Sequence, residues 1–208
     1  MKQVELLVAT KNAKKLSEIR ELLRGLPVKL TSLADYLRAP RIIENGATFA
    51  ENAKKKALKI AAFSGKLTFG EDSGLCVDAL DGAPGVRSAR FSGSGKDDAA
   101  NNRKLLRLLK DVKPSGRGAG YVCAVAIADK DGLLAVVEGT CRGKIALQPA
   151  GNSGFGYDPL FLIPRYAKTF AELGEKVKHT MSHRYRALKK AGPVLKRYIE
   201  KQSIVDRP

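Results

Sequence analysis

Long hydrophobic runs are missing from this 208-residue chain. No stretch approaches the roughly 20 uninterrupted apolar residues that a membrane-spanning helix needs. The opening, MKQVELLVATKNAKK, has too short an apolar part, and too much charge after it, for a secretory signal. Together these absences set the expectation of a cytoplasmic protein with no membrane partner. Cysteine is scarce: Cys76, Cys123 and Cys141 stand apart, with no CxxC spacing. Such an odd, scattered set argues against a disulfide framework and a thiolate zinc site, and leaves the thiols as small buried hydrophobes. Aromatic residues make up only 6% of the chain, and no RNP-like or helix-turn-helix signature is present. That weighs against a nucleic-acid-binding module, which gathers basic residues and exposed aromatics on one face. The common phosphate loops are absent too. GSGKDD resembles a P-loop tail, but Arg90 stands at the first-glycine position and Asp97 where Ser or Thr belongs. GFG at Gly154 lacks the last glycine of a dinucleotide fingerprint. There is no internal repeat and no low-complexity linker.

What is present is charge. The formal net charge is +17, from 38 Lys and Arg against 21 Asp and Glu. It favours anionic partners such as nucleotides, although the basic residues are spread from Lys2 to Arg207 and serve general solvation equally well. An apolar content of 44% suits a globular chain. At this length we expect one domain over residues 1–208, burying roughly 70% of its unfolded surface.

The apolar run at residues 4–9 predicts a buried strand. Leu16, Ile19, Leu22 and Leu23 then recur at helical spacing, and Gly25-Leu26-Pro27 ends that helix. A second strand is expected at residues 28–33, so the chain opens β-α-β and points to an α/β fold. Phe49, Ala53, Ala57 and Ile60, with Ala61, share one face of a helix running from Thr48 to a stop at Gly65. LTFGED is expected as a strand ending at its carboxylates, with GLCVDAL as further extended chain. An amphipathic helix follows, with Leu105, Leu106, Leu108 and Leu109 on its apolar side. Two β-rich runs meet at a Lys-Asp-Gly turn and predict a hairpin. PLFLIP is a further strand. The last helix carries Leu188, Ala191, Val194, Leu195, Tyr198 and Ile199 as a stripe that Gly192-Pro193 should kink or restart.

Chemistry concentrates in four segments. In ATKNAKK, Thr10, Asn12 and Lys15 lie at a strand-to-helix turn, where unpaired N–H groups and the helix dipole favour phosphate. Ordinary capping by Asn12 competes with that reading. In LTFGEDSG, Glu71 and Asp72 interrupt an apolar run, and burying them costs several kcal/mol unless a cation or donors compensate. Glu44 and Asp72 can supply a Mg²⁺ site shared with substrate phosphates, the remaining carboxylate orienting or deprotonating a water. Structural ion pairing with an arginine, or helix capping, competes. In GNSGFGYDPLF, Phe155 and Tyr157 offer flat surfaces for a base and Asp158 an acceptor for its edge. A buried aromatic corner explains the same residues. Finally, EKVKHTMSHRYRALKK places Lys178, His183 and Arg184 near the last helix, with Ser182 as its N-cap. There Lys178 can hold phosphate and the Arg184 fork can donate to a base carbonyl. His179 and His183, four apart, lack the HExxH pattern of a zinc helix.

In this order TKNAKK, ENGATFAENAKKKA, EDSGLCVDALDGAPGVRSARF, GFGYDPLF and SHR resemble the inosine triphosphate pyrophosphatase family, with the match running from about residue 7 to about residue 190. The resemblance implies an α/β fold with an elongated mixed β-sheet, flanking helices and two lobes around a nucleotide-binding cleft. It implies a Mg²⁺-dependent homodimer that hydrolyses ITP, dITP and XTP to the monophosphate and pyrophosphate. Carried over by motif, Thr10, Lys11, Asn12, Ala13, Lys14, Lys15 and Ser73 bind substrate, and so do Phe155, Gly156, Tyr157, Asp158, Lys178, His183 and Arg184. Glu44 and Asp72 are the metal ligands and Asp72 is the catalytic residue. Two departures stand out. Glu71 occupies a position that is often Asp in the family, and Val177 replaces an Asn. Lys178 keeps the family distance to His183, with Lys176 as the other choice. Two alternatives accompany this reading: a pyrophosphatase for modified pyrimidine nucleotides, and a basic nucleic-acid-binding module.

Overall fold

The structure, a computed structural model, describes residues 3–95 and 97–205. Lys96, the lysine of GSGKDD, lies outside them. The architecture is α/β, as expected. One seven-stranded mixed sheet has the order β2-β1-β3-β4-β5-β6-β7. Its strands are β1 (Val4–Val8), β2 (Val28–Ser32), β3 (Leu67–Val77), β4 (Gly118–Asp129), β5 (Gly132–Ile145), β6 (Phe161–Ile163) and β7 (Lys168–Thr169). Parallel pairing joins β1 to both β2 and β3, while β6 pairs antiparallel with β5 and β7. Among the described residues, five α-helices accompany them: α1 (Ala13–Leu22), α2 (Phe49–Ser64), α3 (Asp98–Leu108), α4 (Phe170–Met181) and α5 (His183–Val205). Among the described residues no helix is long and apolar enough to cross a membrane.

The chain divides into two compact units. The first holds the described residues up to Asp72, with Cys123–Gly139 and those from Arg184 onward. Its core packs Leu6 and Val8 of β1, Ile19 of α1, Phe69 of β3 and Val125 and Ile127 of β4 with Leu188, Ala191 and Leu195 of α5. The second holds Ser73–Val122 and Thr140–His183. Leu75, Leu105, Leu109, Tyr121, Phe161 and Phe170 belong to its core.

Local chemistry explains the helix limits. Asn12, Thr48 and Asp97 each accept a backbone N–H from the first turn of α1, α2 and α3. Gly65 closes α2 in the left-handed region at φ 67, where a side chain would be strained. Other features depart from what the local pattern suggests. Strand β3 does not stop at Glu71 and Asp72; it runs eleven residues, carrying both acids mid-strand, and its bonds to neighbouring strands outweigh the polar interruption. Asp78–Leu80 turns into a 3-10 helix rather than extended chain. Leu108 is exposed, because the buried stripe of α3 runs through Leu105 and Leu109 instead. Helix α5 continues through Pro193, held by buried Leu188, Ala191 and Leu195 on both sides of the proline. Neither α4 nor β7 is evident from periodicity; Gly174 breaks α4 with φ 76.

One close approach positions the chemistry. At Gly70 of β3 a Cβ would meet the carbonyl of Ala53 and lie 2.6 Å from the backbone nitrogen of Ala57. Helix α2 therefore lies directly on this strand, and only glycine fits beneath it. Gly70→Ala should destabilise the protein by about 1–3 kcal/mol, the usual effect of forcing volume into a packed contact with backbone. Urea denaturation checks this, and an unchanged midpoint would show that the helix and strand can separate freely.

Candidate active site

The buried face of α2 is not purely apolar. Asn52 and Lys56 fall on it, in register with Phe49, Ala53, Ala57 and Ile60, and both are buried. Spacings of three and four residues place them side by side, and the contact at Gly70 directs them at β3. The Lys56 ammonium sits 2.9 Å from Asp72 Oδ1 and 2.7 Å from Glu44 Oε2, and donates to the Glu71 carbonyl at 3.0 Å. Asn52 donates to the other Asp72 oxygen at 3.1 Å, while its own oxygen accepts the Gly46 N–H at 2.8 Å. That last bond ties the loop carrying Glu44 to the helix.

A second network surrounds the Glu71 side chain. Its Oε2 accepts from Lys15 Nζ at 2.8 Å. Its Oε1 accepts from Arg184 Nη2 at 3.0 Å and from the Cys123 thiol at 3.4 Å. Arg184 Nη1 pairs with Glu18 of α1. Among the described residues of the first unit, the carboxylates Glu18, Glu44, Glu71 and Asp72 thus meet the cations Lys15, Lys56 and Arg184. Burial, the largest influence on Asp72, raises its pKa; the charges of Lys56 and Lys15 oppose that rise without cancelling it. Burial alone would lower the Lys56 pKa, but Asp72 and Glu44 outweigh it and keep the ammonium charged. Arg184 follows the same logic, with Glu71 and Glu18 overcoming desolvation. Burial also raises the Cys123 thiol well above its ordinary range, so it stays protonated.

Glu44 and Asp72 thus converge on one cation position. Mg²⁺ is usually held by one or two carboxylates, with water and substrate phosphates completing its shell. The residues present fit such an ion, provided Lys56 gives way or shares the carboxylates. Among the described residues no group of three or more His, Cys, Asp or Glu converges to hold a metal.

In the second unit, Asp158 organises the turn at residues 154–158. Its Oδ2 accepts the Phe155 N–H at 2.9 Å and the Lys178 ammonium at 2.7 Å, and both members of that pair are almost fully buried. The same ammonium lies 4.6 Å from the centre of the Phe155 ring, a cation–π contact. The Tyr157 hydroxyl donates to the Ser88 carbonyl at 2.8 Å. His183 stacks on Tyr121 with ring centres 4.6 Å apart.

With this geometry, comparison with known proteins is direct. Residues 6–194 match the Ham1 family. The chain belongs to the Ham1 family. It is 48% identical over 200 residues to a protein from Desulforamulus reducens named dITP/XTP pyrophosphatase, covering 96% of this chain and all of that one. A protein of the same name from Rhodopirellula baltica is also 48% identical, covering 96% of each chain. Among solved structures, a HAM1 protein from Coxiella burnetii superposes with a TM-score of 0.85 at 37% identity, covering 94% of this chain and all of that chain. The Staphylococcus aureus Ham1 protein gives 0.82 at 34% identity, covering 95% and 99%.

Within this Ham1 chain, the sequence-derived candidates fall into two groups. Lys15, Glu44 and Asp72 join the ion network of the first unit. Asn12 spends its side-chain oxygen on capping α1, accepting the Lys15 N–H at 3.1 Å, and Thr10 Oγ1 accepts the Asn12 N–H. The capping reading of Asn12 therefore describes this structure, and Lys11, Ala13 and Lys14 are exposed around it. Phe155, Gly156, Tyr157, Asp158, Lys178 and His183 gather in the second unit, where Ser73 is half-buried. Lys178 is buried against Asp158, whereas Lys176 is exposed. Arg184 is buried, with one terminal nitrogen on Glu18 and the other on Glu71. Sequence reasoning missed Lys56, Asn52 and Glu18. For the first two a signal existed: polar residues at positions 52 and 56 share the apolar period of α2.

Breaking one member of a buried charge cluster strands the others. Arg184→Met should destabilise the protein by about 3–5 kcal/mol. Arg184→Lys should rescue only part of that loss, because one ammonium cannot serve two carboxylates as a planar fork does. Chemical denaturation provides the readout. A loss below about 1 kcal/mol, the range of exposed ion pairs, would mean the cluster is solvated rather than buried.

Proposed function

We propose that this chain hydrolyses non-canonical purine nucleoside triphosphates, dITP and XTP with ITP, to the monophosphate and pyrophosphate. The observation that carries this is the convergence of Glu44 and Asp72 on one cation position, with Glu71, next to Asp72, paired to Lys15 of the first helical turn. Similarity over nearly the whole chain to proteins named dITP/XTP pyrophosphatase supports the substrate class.

The chemistry assigned to the residues is a single displacement. A water oxygen bonds to the α-phosphorus while the bridging α–β oxygen leaves with pyrophosphate, and the water gives up a proton. Asp72 orients that water or takes its proton; a carboxylate whose pKa is raised by burial is the better base. Lys15 offers its ammonium to phosphate oxygens, and the N–H groups opening α1 add partial positive charge. Mg²⁺, held by Glu44 and Asp72, would supply further charge neutralisation on the phosphates. Base selection is assigned, on the family motif, to Phe155, Gly156, Tyr157, Asp158, Lys178, His183 and Arg184. Hypoxanthine and xanthine carry an acceptor at position 6 where adenine carries a donor, so buried donors left unpaired against adenine discriminate strongly. A homodimer in the cytoplasm is part of the same reading.

Incubation with ITP, dITP, XTP, GTP and ATP, each with Mg²⁺, should release pyrophosphate preferentially from the first three when followed by ion chromatography. Equal turnover of all five would sink the selectivity, and orthophosphate as the first product would sink attack at the α-phosphorus. Excess EDTA should abolish turnover. Asp72→Asn should lower kcat by at least ~100-fold, as expected for loss of a general base; a near-normal rate would remove Asp72 from that role.

A further inference from the structure

Two side chains of α3 hold the turn at residues 154–158 from outside the family motif. Gly156, at the centre of the turn, has φ 64, a left-handed conformation that glycine adopts without strain. Gly154 does the same at φ 82. A turn with two such glycines has many accessible conformations, so an external constraint must select one. Asp98 Oδ2 accepts the Gly156 N–H at 2.7 Å. Asn102 Nδ2 donates to the Gly156 carbonyl at 3.0 Å. The two residues are four apart on α3, hence stacked on one face of the helix, and together they satisfy both backbone groups of a single residue.

Neither of these hydrogen bonds is made within the helix itself, although an acid in the first turn such as Asp98 also suits the helix dipole. Asp97 is the cap of α3, its Oδ1 accepting the Ala100 N–H at 3.0 Å. That leaves the Asp98 carboxylate to reach the turn. On its other side the turn is fixed by the Asp158 bonds to Phe155 N–H and Lys178, and by the Tyr157 hydroxyl on Ser88. Helix α3 thus closes a frame in which the Phe155 ring and the Asp158 carboxylate take one orientation.

We propose that Asp98 and Asn102 are positioning residues for purine recognition, clamping Gly156 so that Phe155 and Asp158 are pre-set for the base. This rests on the reading that the 154–158 turn meets the base of the nucleotide. Pre-organisation lowers the ordering cost of binding and acts equally on substrate and transition state, so its loss appears in KM and leaves kcat alone.

The test uses the full chain with ITP and Mg²⁺, measuring kcat, KM and melting temperature for each variant. Asp98→Ala and Asn102→Ala should each raise KM for ITP roughly three- to tenfold with kcat within about twofold, the effect of one lost hydrogen bond realised in binding. Asp98→Asn keeps an acceptor oxygen for the Gly156 N–H and should restore KM to within about twofold of the parent protein. Asn102→Asp sets a carboxylate against a carbonyl oxygen and should have the highest KM of the four. Phe155→Ala tests the turn itself and should raise KM. If Phe155→Ala raises KM while both alanine variants of α3 leave it unchanged, the clamp is refuted and base reading by the turn survives. If Phe155→Ala leaves KM unchanged, both fall. Lowered melting temperatures with unaltered KM in the α3 variants would make their role merely structural and would also overturn the proposal.

Discussion

The constraint on which the first unit depends is the burial of carboxylates in the middle of a strand. Glu71 and Asp72 sit where β3 is covered on both faces, and each ionised group there would cost several kcal/mol by itself. The molecule meets this with its own cations. Lys56 reaches in from α2, Lys15 from α1 and Arg184 from the start of α5. Each of these helices is thereby registered against β3 by a charged contact as well as by apolar packing. Removing a cation strands an acid, and removing an acid strands a cation.

That arrangement also gives Glu71 and Asp72 different tasks. The Glu71 side chain is consumed in holding Lys15 and Arg184, and its longer arm lets its two oxygens serve cations from two helices. Asp72 shares its lysine with Glu44, which is more exposed and stands on a loop. An ammonium bridging two carboxylates marks a place that already tolerates a cation. Gly70 underlies this, since it lets α2 approach closely enough for Lys56 and Asn52 to reach Asp72.

The second unit follows a different principle. Its turn at residues 154–158 is short and glycine-rich, and side chains add to the few backbone bonds that shape it. Asp158 and Lys178 form a buried pair beneath it, Tyr157 ties it to Ser88, and Asp98 and Asn102 hold Gly156. Backbone groups that would otherwise be left to water are each given a partner, which selects one conformation from many.

Much of this was legible in the linear chain, and the division has a physical basis. Apolar periodicity, caps and glycine stops are local, so β1, α1, β2, α2 and the β4–β5 hairpin could be read directly from their residues. Motif order was equally local, and it sufficed to reach the family. Polar residues on the buried stripe of α2 were visible as an anomaly at positions 52 and 56, though their partners were not. Those partners lie far away in sequence: Lys15 and Glu71 are 56 residues apart, Arg184 and Glu18 are 166. Such pairs form only when strands and helices have packed. The sequence by itself determined the fold class, the extent of α1 and α2, and the family. Tertiary structure alone decided that Arg184 serves two carboxylates, that Lys56 bridges Glu44 and Asp72, and that α3 grips Gly156, because a charge chooses its partner by distance in space and no periodicity encodes that distance.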